Sequence, residues 1–408
     1  MDGMDFSSIR DQFPALAHWT YLNTATYGQM PRVAAEAANR HFARRDELAC
    51  TDFLSWFDDM DRIRGRCARL VNCAADDIAF VTSASNGLAW LMQGIDWRHG
   101  DEILTLDPEF PNQLYQVALE ERFGVRYRAV PWPDFYQSVN ERTRLVILST
   151  VNYATGFRPP LEEISAFLRF RKVMLYSDGT QSLGALQYDV AAIRPSMFCV
   201  DAYKWMLSPN GAGFVYIAPE LRATLPPTVI GWRTDKGWRN PNALNHGKPL
   251  LSGDAQGYEG GMIDFPALYA MGAVIEMMLA LGPAAIETRV LELADTVRDQ
   301  LRTLGAEVNT DRTPIVTARF EGQDSAGLVG ALKEERIVVS ARQGRLRVSP
   351  HFYNNSDDLD MLERMCSRIR LGTARSLAVA VLKALQRMCS RIMLGTVVGR
   401  PAPLRSRF

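Results

Sequence analysis

Between residues 76 and 217 the chain alternates short apolar runs with longer stretches in which apolar positions recur at helical spacing. The runs are DIAFVT, EILTL, VRYRAV, LVILSTV, VMLYSD, MFCVD and GFVYI, and amphipathic segments such as 88–95 and 161–171 lie between several of them. Unbroken apolar strands are buried on both faces, so this alternation predicts an α/β domain with a largely parallel sheet. Beyond Pro266 the texture changes. Two long helical patterns, 267–281 and 283–304, are followed by IVTARF, a helical stretch over 325–335, IVVSAR and RLRVSP. That order predicts a smaller α+β domain. The expected division is an N-terminal segment 1–20, a large domain 21–265, a small C-terminal domain 266–373 and a basic extension 374–408.

The end of the chain carries a short repeat, RMCSRIRLGT at 364–373 recurring as RMCSRIMLGT at 387–396, and residues 375–408 contain no acidic side chain. Two copies fall short of a repeat architecture, which needs at least three. The expectation is a terminal segment that packs as a helix or frays.

Composition narrows the partners. The 408 residues hold 46 Lys and Arg against 46 Asp and Glu, so no net field favours nucleic acid or an anionic membrane. A small-molecule ligand is expected instead. The six cysteines, at 50, 67, 73, 199, 366 and 389, form no C-x-x-C pair and no metal-ligand spacing. No metal is expected, and a reducing cytoplasm suits free thiols. The N-terminus MDGMDFSSIRDQFP is acidic where an export signal is basic, and no apolar run reaches membrane-spanning length.

In a parallel sheet flanked by helices, ligands gather outside the carboxyl ends of the strands. Ser83, Ala84, Ser85, Asn86 and Gly87 follow the first run and open a helical pattern, an arrangement suited either to phosphate or to ordinary helix capping. Phe110 follows the second run and Asn152 the fourth, Asp178 ends the fifth with Gln181 three residues on, and Lys204 follows the sixth. Only six of the 46 basic residues are lysine, so position 204 needs a reason. A phosphate cradle, a stacking ring, an amide, a carboxylate and a lysine together suit pyridoxal 5'-phosphate. Its aldehyde forms a Schiff base with an amine, which a guanidinium cannot supply. An ionised Asp178 would keep the ring nitrogen protonated, while Asn152 and Gln181 would donate to the phenolate oxygen. Arg347, in RLRVSP, is a candidate clamp for a substrate carboxylate.

With these residues in place, the chain resembles the class V aminotransferase family of fold-type I pyridoxal-phosphate enzymes, in its isopenicillin N epimerase-like and cysteine desulfurase-related branch. The resemblance runs from YLNTATYGQMP (21–31) to HFYNNSDDLDML (351–362), and it rests on the spacing of Asn152, Asp178, Gln181 and Lys204. It implies a large domain with a seven-stranded, mostly parallel sheet and a smaller α+β C-terminal domain. Lys204 would form the internal aldimine and act as catalytic base. Asp178, Asn152, Gln181, Phe110, Tyr203, Ala84 and Ser85 would hold the cofactor, and Arg347, Asn23 and Thr24 would meet an amino-acid substrate. The family's active site lies at the interface of a homodimer.

Three departures stand out. Tyr203 and Asp201 replace the histidine and hydroxyl or glycine common in relatives, and Asp201, repelled by phosphate, is expected to point elsewhere. Met262 stands where relatives use a threonine lent across the dimer. The loop that carries the desulfurase cysteine is reduced to about Gln343 and Gly344, with no cysteine nearby. The resulting expectation is Cα deprotonation leading to aminotransferase-like or epimerase-like activity. The alternatives are a C–S or β-lyase and a non-catalytic binding module of the same fold. Tyr27 and His351 are candidates for a second acid/base group.

Overall fold

A computed structural model describes residues 6–240, 242, 247–370 and 386. Strand β1 (Thr20–Tyr21) stands apart from the main sheet. That sheet contains β2 (Ile78–Val81), β3 (Glu102–Leu106), β4 (Arg126–Val130), β5 (Thr143–Ser149), β6 (Met174–Asp178), β7 (Met197–Asp201) and β8 (Gly213–Ile217). Their order is β2-β8-β7-β6-β5-β3-β4. Each of the seven apolar runs forms one of these strands. All neighbours are parallel except β8, which runs antiparallel to both β2 and β7. Hydrophobicity sets burial and leaves direction open, so this reversal has no signature in the runs themselves.

Helices Phe53–Val71 and Phe265–Leu281 pack together and share the sheet's apolar core through Phe57, Met60, Phe265 and Met271. Helix Arg32–Leu48 packs on Phe265–Leu281 in turn. Asp264 caps Phe265–Leu281 by accepting the Ala267 N–H, as a short acidic side chain before a helix does. The next helix, Pro283–Thr303, sends Leu293, Val297 and Leu301 into a second core. Among the described residues no single helix is long and apolar enough to cross a membrane.

That second core underlies a small antiparallel sheet built from β9 (Glu307–Val308), β10 (Val316–Arg319), β12 (Ser340–Arg342) and β13 (Arg345–Val348), in the order β12-β13-β10-β9. The IVVSAR run splits at Val339, and its first part, β11 (Ile337–Val338), pairs in parallel with β1. A helix over 356–370 completes this part and carries most of the first repeat copy, with Cys366 fully buried. The second copy, 387–396, lies outside the described residues.

The segment after β1 connects the small sheet to the large one. Thr24 N donates to Ser349 O at 3.2 Å, and Gly28 N donates to Tyr203 O at 2.9 Å. A Cβ at position 28 would collide with the carbonyl oxygen of Lys204, so glycine is required for this approach.

Candidate active site

The carboxyl ends of β3, β5, β6 and β7 share one edge of the sheet because these strands are parallel. Asp178 closes β6, in register with Ser149 of β5 and Cys199 of β7. Its Oδ2 accepts from Gln113 Nε2 at 2.8 Å and its Oδ1 from Thr180 N at 2.9 Å. The side chain is buried, yet among the described residues no cation comes within ion-pair distance of it.

Lys204 follows β7 and is equally buried. Its Nζ lies 5.2 Å from the Phe110 ring centroid and 5.3 Å from that of Tyr203. Burial, only partly offset by Asp178, pushes its pKa down to about 8. A carboxylate without a cation and a lysine without a carboxylate therefore sit side by side. Pyridoxal phosphate fits this pair, because it offers a protonated ring nitrogen to one and an aldehyde to the other.

Asn152 folds into an Asx turn, its Oδ1 accepting from Ala154 N and Thr155 N at 2.9 Å, while its Nδ2 donates to Pro108 O at 2.6 Å. Gln181 Nε2 donates to Ala25 O at 3.0 Å, and its Oε1 accepts from Trp205 Nε1 at 3.1 Å. Both amides thus serve the scaffold, and each retains one further N–H. Phe110 is partly exposed and meets Tyr153 edge-on, with ring centroids 5.2 Å apart. Tyr203 packs against Tyr27, with centroids 5.1 Å apart.

Ala84 begins the helix Ala84–Gly94, and Ser83 caps it by accepting the Asn86 N–H at 3.3 Å. Ser85 is exposed and donates to Asn112 Oδ1 at 2.7 Å. Asp201 does not turn away from this helix start. Its carboxylate accepts the Ala84 backbone N–H, and burial with nearby Asp178 pushes its pKa up to about 6. The positive end of the helix dipole accounts for the preference.

Arg347 is almost fully buried. It donates to Ser340 Oγ at 3.0 Å, to Tyr153 O at 2.7 Å and to Thr26 Oγ1 at 2.6 Å. Thr26 in turn donates to Asn23 Oδ1 at 2.8 Å, which brings Asn23 into the network. Thr24 stays out of it: fully buried, it bonds Tyr353 Oη at 2.9 Å. His351 is also unsuited to proton transfer. Its ring is fully buried against Trp205 O at 2.8 Å, and burial holds its pKa down at about 3. Sequence reasoning missed Thr26 and Gln113, which lie three residues beyond Asn23 and Phe110 and join the site only through folding.

The lysine and carboxylate at the strand ends of the large sheet, with an arginine from the small one, define a pyridoxal-phosphate enzyme of the α/β type. A family model for aminotransferase class-V matches residues 51–362, and the chain belongs to that family. It is 26% identical over 395 residues to isopenicillin N epimerase of Amycolatopsis lactamdurans, covering 88% of this chain and 96% of that one. It is 23% identical over 393 residues to a probable cysteine desulfurase of Methanothermobacter thermautotrophicus, with the same coverage. Among solved structures it is similar to a lysine-to-alanine mutant of C-DES with glycine covalently linked to its cofactor. There the TM-score is 0.80 and the identity 25%, over 87% of this chain and 98% of that one.

Proposed function

We propose that this enzyme removes the Cα proton of a small amino acid and carries it on to aminotransferase-like or epimerase-like chemistry. The observation that supports the reading is Lys204: a buried amine beside Asp178, with its pKa lowered toward neutrality. When bound, pyridoxal phosphate supplies the electron sink that makes loss of that proton feasible. At neutral pH a lysine with a pKa of about 8 is unprotonated some 300 times more often than one at the ordinary value, as an order-of-magnitude estimate. Nζ can therefore attack a carbonyl and afterwards accept a proton. Arg347 orients the substrate carboxylate through its fork, and Phe110 and Tyr203 shield Nζ from water.

A C–S or β-lyase is the second reading, favoured by the similarity to C-DES, a cystine C–S lyase in another of its structures. Only Gln343 and Gly344 connect β12 to β13, and the described cysteines, at 50, 67, 73, 199 and 366, lie elsewhere in the chain. That absence argues against a persulfide held on this loop. We also propose a homodimer, supported by exposed Val229, Ile230, Trp232 and Met262 on two adjacent segments joined by Arg233 N to Gly260 O.

Incubation of the cofactor-loaded enzyme with an amino-acid panel tests the assignment. Cα deuterium exchange with a pyridoxamine form supports transamination, and exchange with racemisation supports epimerisation. Pyruvate release without either moves the enzyme to the lyases, and no exchange with any amino acid overturns the proposal.

A further inference from the structure

Two guanidinium groups, not one, converge on the substrate side of this site. Ser340 and Arg347 face each other across the β12–β13 ladder. Arg342, two residues beyond Ser340, therefore lies on the same face of the small sheet. Its Nη2 reaches Thr26 Oγ1 at 3.5 Å, the same oxygen that Arg347 Nη2 bonds at 2.6 Å. Thr26 gives its own proton to Asn23, so its lone pairs face both arginines. The two Nη2 atoms are thus no further apart than two hydrogen bonds laid end to end.

Neither cation is neutralised. Every hydrogen-bond acceptor found for Arg342 and Arg347, namely Ala341 O, Thr26 Oγ1, Ser340 Oγ and Tyr153 O, is uncharged. Among the described residues neither takes part in an ion pair. The fold treats its other buried arginines differently. Arg64 and Arg233 grip opposite oxygens of the buried Glu259 at 2.7 and 2.6 Å. A buried cation lacking such a partner is costly, and the cost is recovered when a ligand brings the anion. The strain is visible in Arg347, whose pKa burial and then Arg342 push down to about 9.

Arg347 is almost completely buried while Arg342 is half-buried, so the second lies nearer the surface. Each keeps N–H groups beyond those already used, enough for its own carboxylate. We propose that Arg342 recognises a second anionic group, so that the substrate of this site is a short amino acid with a carboxylate on its side chain. This inference rests on the reading of Arg347 as the clamp for the α-carboxylate.

Isothermal titration of the cofactor-loaded protein with glutarate, succinate and butyrate tests it without turnover. The two dicarboxylates should bind more tightly than butyrate to the wild type. Arg342→Gln should weaken glutarate roughly 10- to 100-fold and leave butyrate within about twofold, the range of one lost charged hydrogen-bonded contact. Arg342→Lys should restore part of the loss, and Arg347→Gln should weaken all three ligands. Equal weakening of glutarate and butyrate by Arg342→Gln would overturn the inference, since both arginines would then hold one carboxylate. So would a wild type with no dicarboxylate preference. Visible absorbance recorded before each titration separates the two claims. Cofactor bound without dicarboxylate preference defeats only the substrate class, whereas dicarboxylate binding by protein that takes up no cofactor defeats the enzyme reading. Circular dichroism identifies a variant that has failed to fold, in which case Arg342→Lys with its milder loss decides.

Discussion

The carboxylate of Asp201 accepts the backbone N–H of Ala84, so an acidic side chain occupies the helix start to which the family resemblance assigns the cofactor phosphate. Asp178 and Lys204 face it from the sheet and add opposing fields, and burial is the largest influence on it. A phosphate bound there would share the favourable end of that helix dipole with Asp201 and be repelled by it.

Cofactor affinity should consequently depend on pH in a way that Asp201→Asn removes. With its pKa raised to about 6, Asp201 is neutral below that pH and ionised above it. The wild type should lose affinity relative to the variant as pH rises through about 6, and the two should converge near pH 5. The free cofactor's phosphate titration near pH 6 is common to both proteins and cancels in the ratio of dissociation constants, so a change in that ratio with pH reports the bound site. A ratio that stays constant between pH 5 and 8 would show that Asp201 does not meet the phosphate.

Gly28→Ala should destabilise the protein by about 1–3 kcal/mol, the usual penalty for overpacking. The added methyl collides with the Lys204 carbonyl and pushes away the Gly28 N–H that bonds Tyr203 O. Urea denaturation reads the loss. The same variant should hold cofactor less tightly, because the displaced segment also carries Ala25 O, the acceptor for Gln181. Unchanged stability would mean that the segment can move aside at little cost.

Glu109 gives a second pH signature, this time in stability. It is buried, accepts from Phe110 N, Ser149 N and Ser149 Oγ, and burial raises its pKa to about 7. The folded state then holds a proton that the unfolded chain has released between about pH 4.5 and 7, so stability falls as pH rises through that window. The shift sets a ceiling on the order of 3 kcal/mol. Glu109→Gln should flatten this slope in urea melts from pH 5 to 8, and an equally steep slope in the variant would assign it to other groups.

Runs such as EILTL, MFCVD and GFVYI were legible because a buried strand must be apolar throughout, and their bounds coincide with β3, β7 and β8. Lys204, Asp178 and Asn152 were legible because a parallel sheet brings successive strand ends to one edge. Strand β1 has two residues and gains its identity only from pairing with β11, so no local pattern marks it. Helix Arg32–Leu48 buries only Ala34, Ala37 and His41, too little apolar surface to stand out. The convergence of Thr26, Arg342 and Arg347 joins positions more than 300 residues apart. Charge repulsion alone points Asp201 away from the phosphate position, whereas the free N–H groups at the start of the Ala84 helix draw it in.

We propose Lys204 as the amine that links the cofactor. Borohydride reduction of protein incubated with excess pyridoxal phosphate, followed by peptide mapping, tests it most directly. A stable phosphopyridoxyl group is expected on Lys204 and should be absent from Lys204→Ala. A label at another lysine that persists in that variant, or no label at all in the wild type, would contradict it.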